Sequence, residues 1–347
     1  MPVGTRCEVW SRSMLLTIAI PTFNRVSYLS ETLDRLIAEL PAQFQGQLEI
    51  LISDNASTDG TEELCRCRVQ DNPGIIRYVR YAVNQGFDRN LDFLFANARG
   101  TFVLLVGDDD LPLSGALERL WATLQRNQTT PPGLIYCYHE LVDGTTGKHF
   151  ELDEVFFVPD AGHQDDVIRY ESGVELLRKL GTTLHAGLTG TVFLRAAWLD
   201  SDRDRFIGTN FLHLAVAYQI AARHAVCVDY RPLFMVRQFG EHRWPANGEL
   251  YFGLLKAGRP LLEEYPEDVV LELRRKNDWA VRRAMVSYRA SAPKDRQLVQ
   301  VIRDSLDKDR FGYWLIDLPL LAIPGKVLSL MRDVGQALRQ RNSRQVD

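Results

Sequence analysis

The chain has 347 residues, of which 46% are hydrophobic and 25% are charged, the composition of an ordinary globular protein. This length suffices for one large domain with an extension or for two modest domains. The formal net charge of -4 gives no general basic field of the kind a nucleic-acid binder shows, so no nucleic-acid partner is expected.

The cysteines do not form a disulfide framework. There are five of them, an odd number, and no pair has the spacing of a zinc site, so we expect reduced thiols in the cytosol. No long apolar run follows the basic residues at the N-terminus, and a secretory signal is not expected. The sequence therefore predicts a cytoplasmic protein.

The first predicted strand leads into a polar loop and a helix. Residues 14–20 are an apolar run, typical of a buried strand, that ends at Pro21. A helical spacing of leucines follows, and Asn24 is the expected N-cap of that helix. The loop between strand and helix then presents Thr22, Asn24 and Arg25.

A second strand is predicted at residues 48–53, again followed by a polar loop that begins with Asp54 and Asn55. Asp59 and, three residues later, Glu62 fit a capping box, which predicts that the next helix begins there.

A third strand, at residues 75–81, leads to Asn84 and Gly86 and then to a helix that begins at Phe87. The fourth strand, at residues 101–106, ends in an acidic turn and is followed by a further amphipathic helix. Strands alternate with helices four times, which predicts an α/β fold with a doubly wound, mostly parallel sheet.

The acidic turn consists of Gly107, Asp108, Asp109 and Asp110. Three adjacent carboxylates repel one another, and oxygen ligands of this kind favour Mg²⁺ or Mn²⁺ with positions left for phosphate oxygens. The alternative for the run alone is a solvated acidic turn. Because the loops after parallel strands meet at one sheet edge, we favour a metal-diphosphate site. The loops contain no dinucleotide-binding or P-loop motif.

Four motifs in order resemble those of family 2 glycosyltransferases with the GT-A fold. They are IPTFNR (20–25), SDNASTDGT (53–61), NQGFDRN (84–90) and LVGDDDLPLSGAL (105–117). The arrangement is especially similar to bacterial transferases of O-antigen assembly, including an abequosyltransferase-like branch.

The resemblance implies a site for a nucleotide-sugar and a divalent cation. The residues it places at the nucleotide-sugar are Pro21, Thr22, Asn24, Arg25, Asp54, Asn55, Asn84, Gly86, Asp108 and Asp109. Asp109 and Asp110 are its expected metal ligands. The usual family motif, Asp-x-Asp-Asp, puts Gly107 at the position of the first aspartate, whereas a shift by one residue makes Asp108 and Asp110 the pair.

The resemblance also implies a general base on the acceptor side, but the usual acidic pair is missing from this region. His213 is the nearest titratable residue and Asp204 the second candidate, while Asp202 and His185 remain alternatives. His213 could instead be a packed polar residue on an apolar helix.

The resemblance also implies that the loop at residues 238–244 could fold over the donor. His242 and Arg243 have the chemistry to meet the metal or the diphosphate, and the alternative is a surface loop anchored by Trp244.

We predict three regions. Residues 1–13 are a loose arm, residues 14–247 a GT-A domain with a nucleotide-binding half (14–125) and an acceptor-side half (126–247), and residues 248–347 a helical C-terminal extension. Residues 311–330 are apolar but too often interrupted to span a membrane. With the basic tail they could lie on a membrane surface, or they could pack on the domain or form a homodimer.

The leading hypothesis is a metal-dependent glycosyltransferase. It would move a sugar from a nucleotide-diphosphate-sugar to a hydroxyl of a glycan, expected to be lipid-linked, of the bacterial surface at the inner face of the cytoplasmic membrane. Two alternatives remain open, a relative that binds nucleotide-sugar without catalysis and a sugar nucleotidyltransferase.

Overall fold

The computed structural model of the protein describes residues 14–40, 44, 46–149, 167–180, 187–238 and 263–270. Within these ranges, nine strands form one sheet and seven α-helices pack on it. The strands are β1 (Leu16–Thr22), β2 (Leu48–Asp54), β3 (Ile76–Arg80), β4 (Phe102–Leu105), β5 (Leu111–Pro112), β6 (Leu134–Asp143), β7 (Val167–Tyr170), β8 (Thr191–Leu194) and β9 (Val226–Gln238). The helices are α1 (Val26–Ala38), α2 (Thr61–Asp71), α3 (Phe87–Asn97), α4 (Ala116–Arg126), α5 (Gly173–Leu180), α6 (Arg195–Leu199) and α7 (Leu212–Arg223).

The parallel half of the sheet, which we define as β1–β4 with α1–α4, follows the sequence expectation. Its strands lie in the order β3-β2-β1-β4, and all three neighbouring pairs are parallel. Every residue of β1 and β2 is buried, because helices cover both faces of the sheet. The polar loops after these strands therefore emerge at the same edge, which confirms the predicted α/β architecture.

The mixed half, which we define as β5–β9 with α5–α7, contains most of the antiparallel pairs. Strand β8 runs antiparallel to both β4 and β6, and β9 pairs in parallel with β6. The short strand β5 follows the acidic turn directly, and its Leu111 pairs with Met235 of β9. The acidic turn is therefore held between the parallel half and the end of β9.

The sheet separates two hydrophobic cores, as the alternation of side chains along β1 shows. Ile18 and Ile20 belong to the core beneath α1, α2 and α4, which includes Trp121. Ala19 belongs to the core beneath α3, α5, α6 and α7, where Phe95 and Trp198 stack with ring centroids 3.6 Å apart. Helices on both faces are the arrangement expected of a doubly wound sheet.

Residues 263–270 are the described part of the predicted C-terminal region. Tyr265, Val269 and Val270 are buried in the core beneath α7, and the Tyr265 hydroxyl donates to the Tyr218 carbonyl over 3.0 Å. The proposed boundary at residue 247 and the arm at residues 1–13 stay predictions, and the segment 311–330 lies outside the described residues. Among the helices that the structure does describe, none is long and apolar enough to cross a membrane.

Candidate active site

The acidic turn begins where β4 ends, and Gly107 has a steric reason to be glycine. A Cβ at this position would lie 2.7 Å from Oδ2 of Asp110 and would push that carboxylate from its place. Thr32 of α1 donates to the carbonyls of Asp108 (3.0 Å) and Asp110 (3.2 Å), which holds the turn against the helix. The departure from the usual family motif at residue 107 thus accompanies a tightly folded turn.

Each of the three carboxylates has a different set of partners. Asp108 accepts from the Thr22 hydroxyl (2.7 Å) and lies 3.4 Å from Nη1 of Arg25. Asp110 accepts from the Thr189 hydroxyl and, over 3.0 Å, from the backbone N–H of Arg237.

The third carboxylate, Asp109, is paired with the Arg25 guanidinium and keeps 18% of its side chain exposed. Asp108 and Asp110 are enclosed by protein donors, so Asp109 is the carboxylate most accessible to a bound cation.

Burial sets the protonation of the two enclosed acids. It raises the pKa of Asp108 to about 6, against the lowering effects of Arg25 and the Thr22 hydroxyl. Burial followed by the charge of Asp109 raises the pKa of Asp110 to about 7. Burial lowers the pKa of Arg25, but the charges of Asp108 and Asp109 outweigh it and the net direction is upward. Ionisation of the two enclosed acids is therefore unfavourable in the bare turn, and a bound cation would favour their ionised forms.

The chemistry of the donors fits a hard divalent cation. All the candidate ligands are carboxylate oxygens, which Mg²⁺ and Mn²⁺ prefer. Within the described ranges, no three His, Cys, Asp or Glu side chains are grouped so as to hold a metal by themselves. The turn thus fits an ion that takes one or two protein carboxylates and completes its shell with water and phosphate oxygens. Arg25 would have to share Asp109 with such an ion.

The first two polar loops bind each other, and Asn24 is central to this contact. The expected role of Asn24 as an N-cap is wrong: the cap position is Arg25, and the Asn24 side chain accepts from the N–H of Thr58 over 2.8 Å. Asn24 has a φ of 53°, a left-handed conformation that asparagine tolerates better than most residues. Its own N–H donates to the Ser57 hydroxyl over 2.8 Å. Asn24 therefore joins the loops after β1 and β2.

The predicted capping box at Asp59 and Glu62 is also wrong. Helix α2 has Gly60 at its N-cap, with a φ of 91°. Asp59 accepts from the N–H of Thr61, the first residue of α2, over 3.2 Å, as a capping residue does, and also from the N–H of Val26 over 2.9 Å, whereas Glu62 pairs with Arg66 and does not complete the box. Sequence reasoning thus placed the helix start to within two residues but missed the bond from Asp59 to Val26, because Val26 lies on another helix.

Asp54 lies at the end of β2 and is fully buried. One of its carboxylate oxygens accepts from the N–H of Ser57 (2.8 Å), and the other accepts from the Tyr78 hydroxyl (2.7 Å) and lies 3.4 Å from Nε of Arg80. The structure therefore ties Asp54 to its own loop and to β3, and Pro21 lies buried in the adjacent strand β1, paired with Ser53.

Asn55 connects the second loop with the third. Its side chain donates to Oδ1 of Asn84 (2.9 Å) and accepts from the N–H of Gln85 (2.8 Å). Asn84 also accepts from the N–H of Gly86, which begins α3 with a φ of 84° that favours glycine. The structure thus brings Asn55, Asn84 and Gly86 together, as the sequence predicts for loops at one edge.

The two candidate bases lie in different environments. His213 is in the first turn of α7, only 4% exposed, with its ring edge-on to Phe87 at a centroid distance of 6.3 Å. Asp204 is exposed in a short 3-10 helix, Asp204–Phe206, whose neighbour Arg203 pairs with Asp92 of α3. His242 and Arg243 lie outside the described residues, as does His185.

Sequence reasoning missed two residues of the mixed half that contact the acidic turn. Thr189 accepts from the N–H of Gly107 over 2.8 Å while its hydroxyl donates to Asp110. Arg237 donates from its backbone to Asp110 and from its side chain to the carbonyl of Asp109 and, over 2.5 Å, to Glu31. The available signal for Arg237 was its position within β9, where a charged residue directly follows the apolar residues 233–236. Thr189 had none, because its contact depends on the antiparallel strand β8.

Comparison with solved structures identifies the class of fold. Staphylococcus aureus TarS (residues 1–349), in a structure with UDP-GlcNAc, superposes with a TM-score of 0.59 at 16% identity, covering 84% of this chain and 80% of that one. The mannosyltransferase PcManGT of Pyrobaculum calidifontis, solved with GDP-Man and Mn²⁺, gives a TM-score of 0.52 at 16% identity, covering 92% and 86%. The chain has the GT-A fold of these glycosyltransferases.

Sequence comparison narrows the class to a family. Residues 17–174 match the family model described as glycosyl transferase family 2. Abequosyltransferase RfbV of Salmonella typhimurium is 41% identical over 97 residues, which are 28% of each chain. The GalNAc(5)-diNAcBac-PP-undecaprenol beta-1,3-glucosyltransferase of Campylobacter jejuni is 33% identical over 105 residues, 30% of this chain and 33% of that one. The chain thus spans a third or less of the length of these two relatives.

Proposed function

We propose that this protein is a metal-dependent glycosyltransferase that moves one sugar from a nucleoside-diphosphate sugar to a hydroxyl group of a lipid-linked bacterial surface glycan. The observation that carries the proposal is the acidic turn at the edge where the polar loops meet, with two enclosed carboxylates and one accessible carboxylate. The named activities of the Salmonella and Campylobacter relatives support the sugar chemistry, and the latter's name supports a lipid-linked acceptor.

In this proposal the residues of the turn have distinct tasks. Asp109 would hold the divalent cation, which would supply positive charge for the leaving nucleoside diphosphate. Thr22 and Thr189 keep Asp108 and Asp110 in place through their hydroxyl groups. Arg25 exchanges Asp109 for phosphate oxygens when the donor binds, because a guanidinium binds both kinds of oxygen in the same geometry.

The nucleotide lies in this proposal beside the loops after β1, β2 and β3. Asn24 and Asp54 shape these loops, since their side chains already bind Thr58, Ser57 and Tyr78. Asn84 and Gly86 border the nucleotide, where a residue without a side chain lets the ligand approach the backbone. We retain His213 as the candidate base, because it is the ionisable side chain in the first turn of α7.

Asp109→Asn tests the metal site. The purified chain is titrated with UDP, GDP, CDP and dTDP in the presence of Mn²⁺ and, separately, of EDTA. We expect the variant to lose about 100-fold in Mn²⁺-dependent nucleotide affinity, since the cation loses its accessible carboxylate. Asp34→Asn, which removes an exposed aspartate paired with Arg68 on α1 and α2, is the matched control and should bind as the wild type does. Equal Mn²⁺-dependent affinity in Asp109→Asn would contradict the assignment.

The second candidate function is nucleotide-sugar binding without catalysis, and the start of α7 is the observation that favours it. No acidic residue lies in the first turn of this helix. His213→Gln separates the two functions: a transferase should retain donor binding in this variant and lose transfer. A wild-type chain that binds donors tightly but transfers no sugar to any lipid-linked acceptor would favour the binding function.

A further inference from the structure

Asp88 is a buried carboxylate that the site described above does not use. It is the second residue of α3, directly after Gly86 and Phe87, and only 2% of it is exposed. Burial of a carboxylate is costly unless hydrogen bonds compensate for the lost water. Both of its oxygens face the start of α7, where hydrogen bonds replace those lost to water.

The donors are the backbone N–H groups at the start of α7. Oδ2 of Asp88 accepts from the N–H of Asn210 (2.8 Å), and Oδ1 accepts from the N–H of Leu212 (3.2 Å). The N–H of Phe211, between them, donates to the Thr209 hydroxyl over 3.1 Å. The N-cap residue of α7, Phe211, has no side-chain oxygen, so a carboxylate from α3 takes the place of the usual cap. The negative charge also faces the positive end of the helix dipole.

The turn before α7 depends on this contact. Asn210 has a φ of 61° and Gly208 a φ of 88°, so the chain reverses sharply just before the helix. Asn210 is exposed at this turn, and the first turn of α7 carries His213 against Phe87. The left-handed conformation of Asn210 needs its surroundings to hold it, and the bond from the Asn210 N–H to the Asp88 carboxylate supplies part of that restraint.

We propose that Asp88 is a positioning residue that fixes the start of α7, with Asn210 and His213, relative to the loop of Asn84 and Gly86. The Asp88 carboxylate thereby connects the loop proposed to border the nucleotide with the helix that carries the candidate base. The proposal rests on the glycosyltransferase function proposed above, because only transfer requires both sides to be aligned. It assigns Asp88 no contact with substrate.

Asp88→Asn is the test, because asparagine has nearly the same shape but presents an N–H₂ group to one of the two backbone donors. We expect Mn²⁺-dependent binding of the nucleoside diphosphate to stay within about twofold, and kcat for transfer to fall about 10- to 100-fold, the loss expected from a misplaced reacting group. Asp88→Glu, which keeps the charge but displaces it by one methylene group, should lose less of kcat. If Asp88→Asn does not fold, Asp88→Glu alone carries the comparison.

The matched control is Asp92→Asn. Asp92 lies one turn further along α3 and also accepts across the domain, from Trp198 Nε1 (3.2 Å) and Arg203 Nε (2.8 Å), but it does not contact the start of α7. Its variant should keep kcat within about threefold, below the loss expected for a misplaced reacting group.

Hydrogen exchange of the amides of residues 209–214 gives a readout that does not depend on activity. These amides should exchange faster in Asp88→Asn and as in the wild type in Asp92→Asn, even if the chain transfers no sugar and the proposed function fails. Unchanged exchange in Asp88→Asn, or loss of kcat that merely parallels loss of donor binding, would overturn the positioning role.

Discussion

The two halves of the sheet contribute to the candidate site in different ways. In the parallel half, the loops bind one another: Asn24 contacts Thr58, and Asn55 contacts Asn84. In the mixed half, Thr189 and Arg237 come from distant parts of the chain and contact the acidic turn. The loops of the parallel half thus hold one another in place, and the mixed half orients the carboxylates of the acidic turn.

The strongest test of this division is Thr189→Val, which removes the hydroxyl but keeps the shape. Asp110 loses one of its buried donors and Gly107 loses its acceptor, so the turn that carries Asp109 is held less firmly, and we expect metal affinity to fall about 10- to 100-fold, a size typical of residues that orient metal ligands. Isothermal titration with Mn²⁺ and a nucleoside diphosphate measures this change. Thr191→Val, at a threonine equally buried on β8, is the control and should leave the affinity within about threefold, below the loss typical of such orienting residues. Equal losses of affinity in both variants would mean that the Thr189 hydroxyl has no special role in orienting the acidic turn.

A second test uses the acid sensitivity of the mixed half, since all seven histidines lie between residues 139 and 242. Burial lowers the pKa of His139, on β6, to about 4, below the value of about 6.5 expected in the unfolded chain. The unfolded state then binds the proton more strongly, so stabilisation present above pH 6.5 is lost as the pH falls towards 4.

His139→Gln should abolish this component. Between pH 7 and pH 4.5, we expect the wild type to lose about 2 kcal/mol more of its unfolding free energy than the variant, as urea titrations at the two pH values would measure. His149→Gln removes a histidine whose side chain is 61% exposed and should lose as much as the wild type. An identical pH dependence in His139→Gln would show that this imidazole does not remain neutral in the folded protein.

The smallest expected effect lies in the parallel half, at Asn24. Asn24→Ala loses the bond from the Thr58 N–H and forces a Cβ-bearing residue without polar atoms to keep a φ of 53°, so we expect a loss of about 2 kcal/mol in unfolding free energy. Asn24→Gly loses the same bond without the backbone cost and should be more stable than Asn24→Ala by about 1 kcal/mol. Denaturant unfolding of the pair measures the difference, and equal stabilities would show that the loop changes its conformation when the side chain is removed.

The sequence allowed a large part of the parallel half to be predicted. Short apolar runs before Pro21, Asp54 and Asn84, each followed by a helical pattern, were enough to place β1, β2 and β3 and the edge at which their loops meet. The individual bonds were harder to predict: Asn24 looks like a cap of the next helix but binds another loop, and Asp59 binds the start of α2 as predicted but also binds α1. Capping residues are recognised by local spacing, and a competing partner brought near by the fold leaves no local signal.

In the mixed half, pairing between distant strands limited the prediction. Arg237 reaches the acidic turn because β9 pairs with β5, and Thr189 reaches it because β8 pairs with β4. Asp88 stood within a recognised motif, yet its partners at the start of α7 lie more than 120 residues away along the chain. Such contacts follow from the order of strands in the sheet, and the spacing of apolar residues along one sequence does not reveal that order.

The sequence by itself determined the α/β class, the doubly wound arrangement and the presence of an acidic turn at the ligand edge, because the period of apolar residues and the position of polar loops after strands are local properties. The tertiary structure alone decided which carboxylate stays accessible. Asp108 and Asp110 are enclosed by Thr22, Thr189 and the Arg237 backbone, whereas Asp109 keeps part of its side chain exposed. The three aspartates are chemically identical in the sequence, and only the donors packed around each of them make them different.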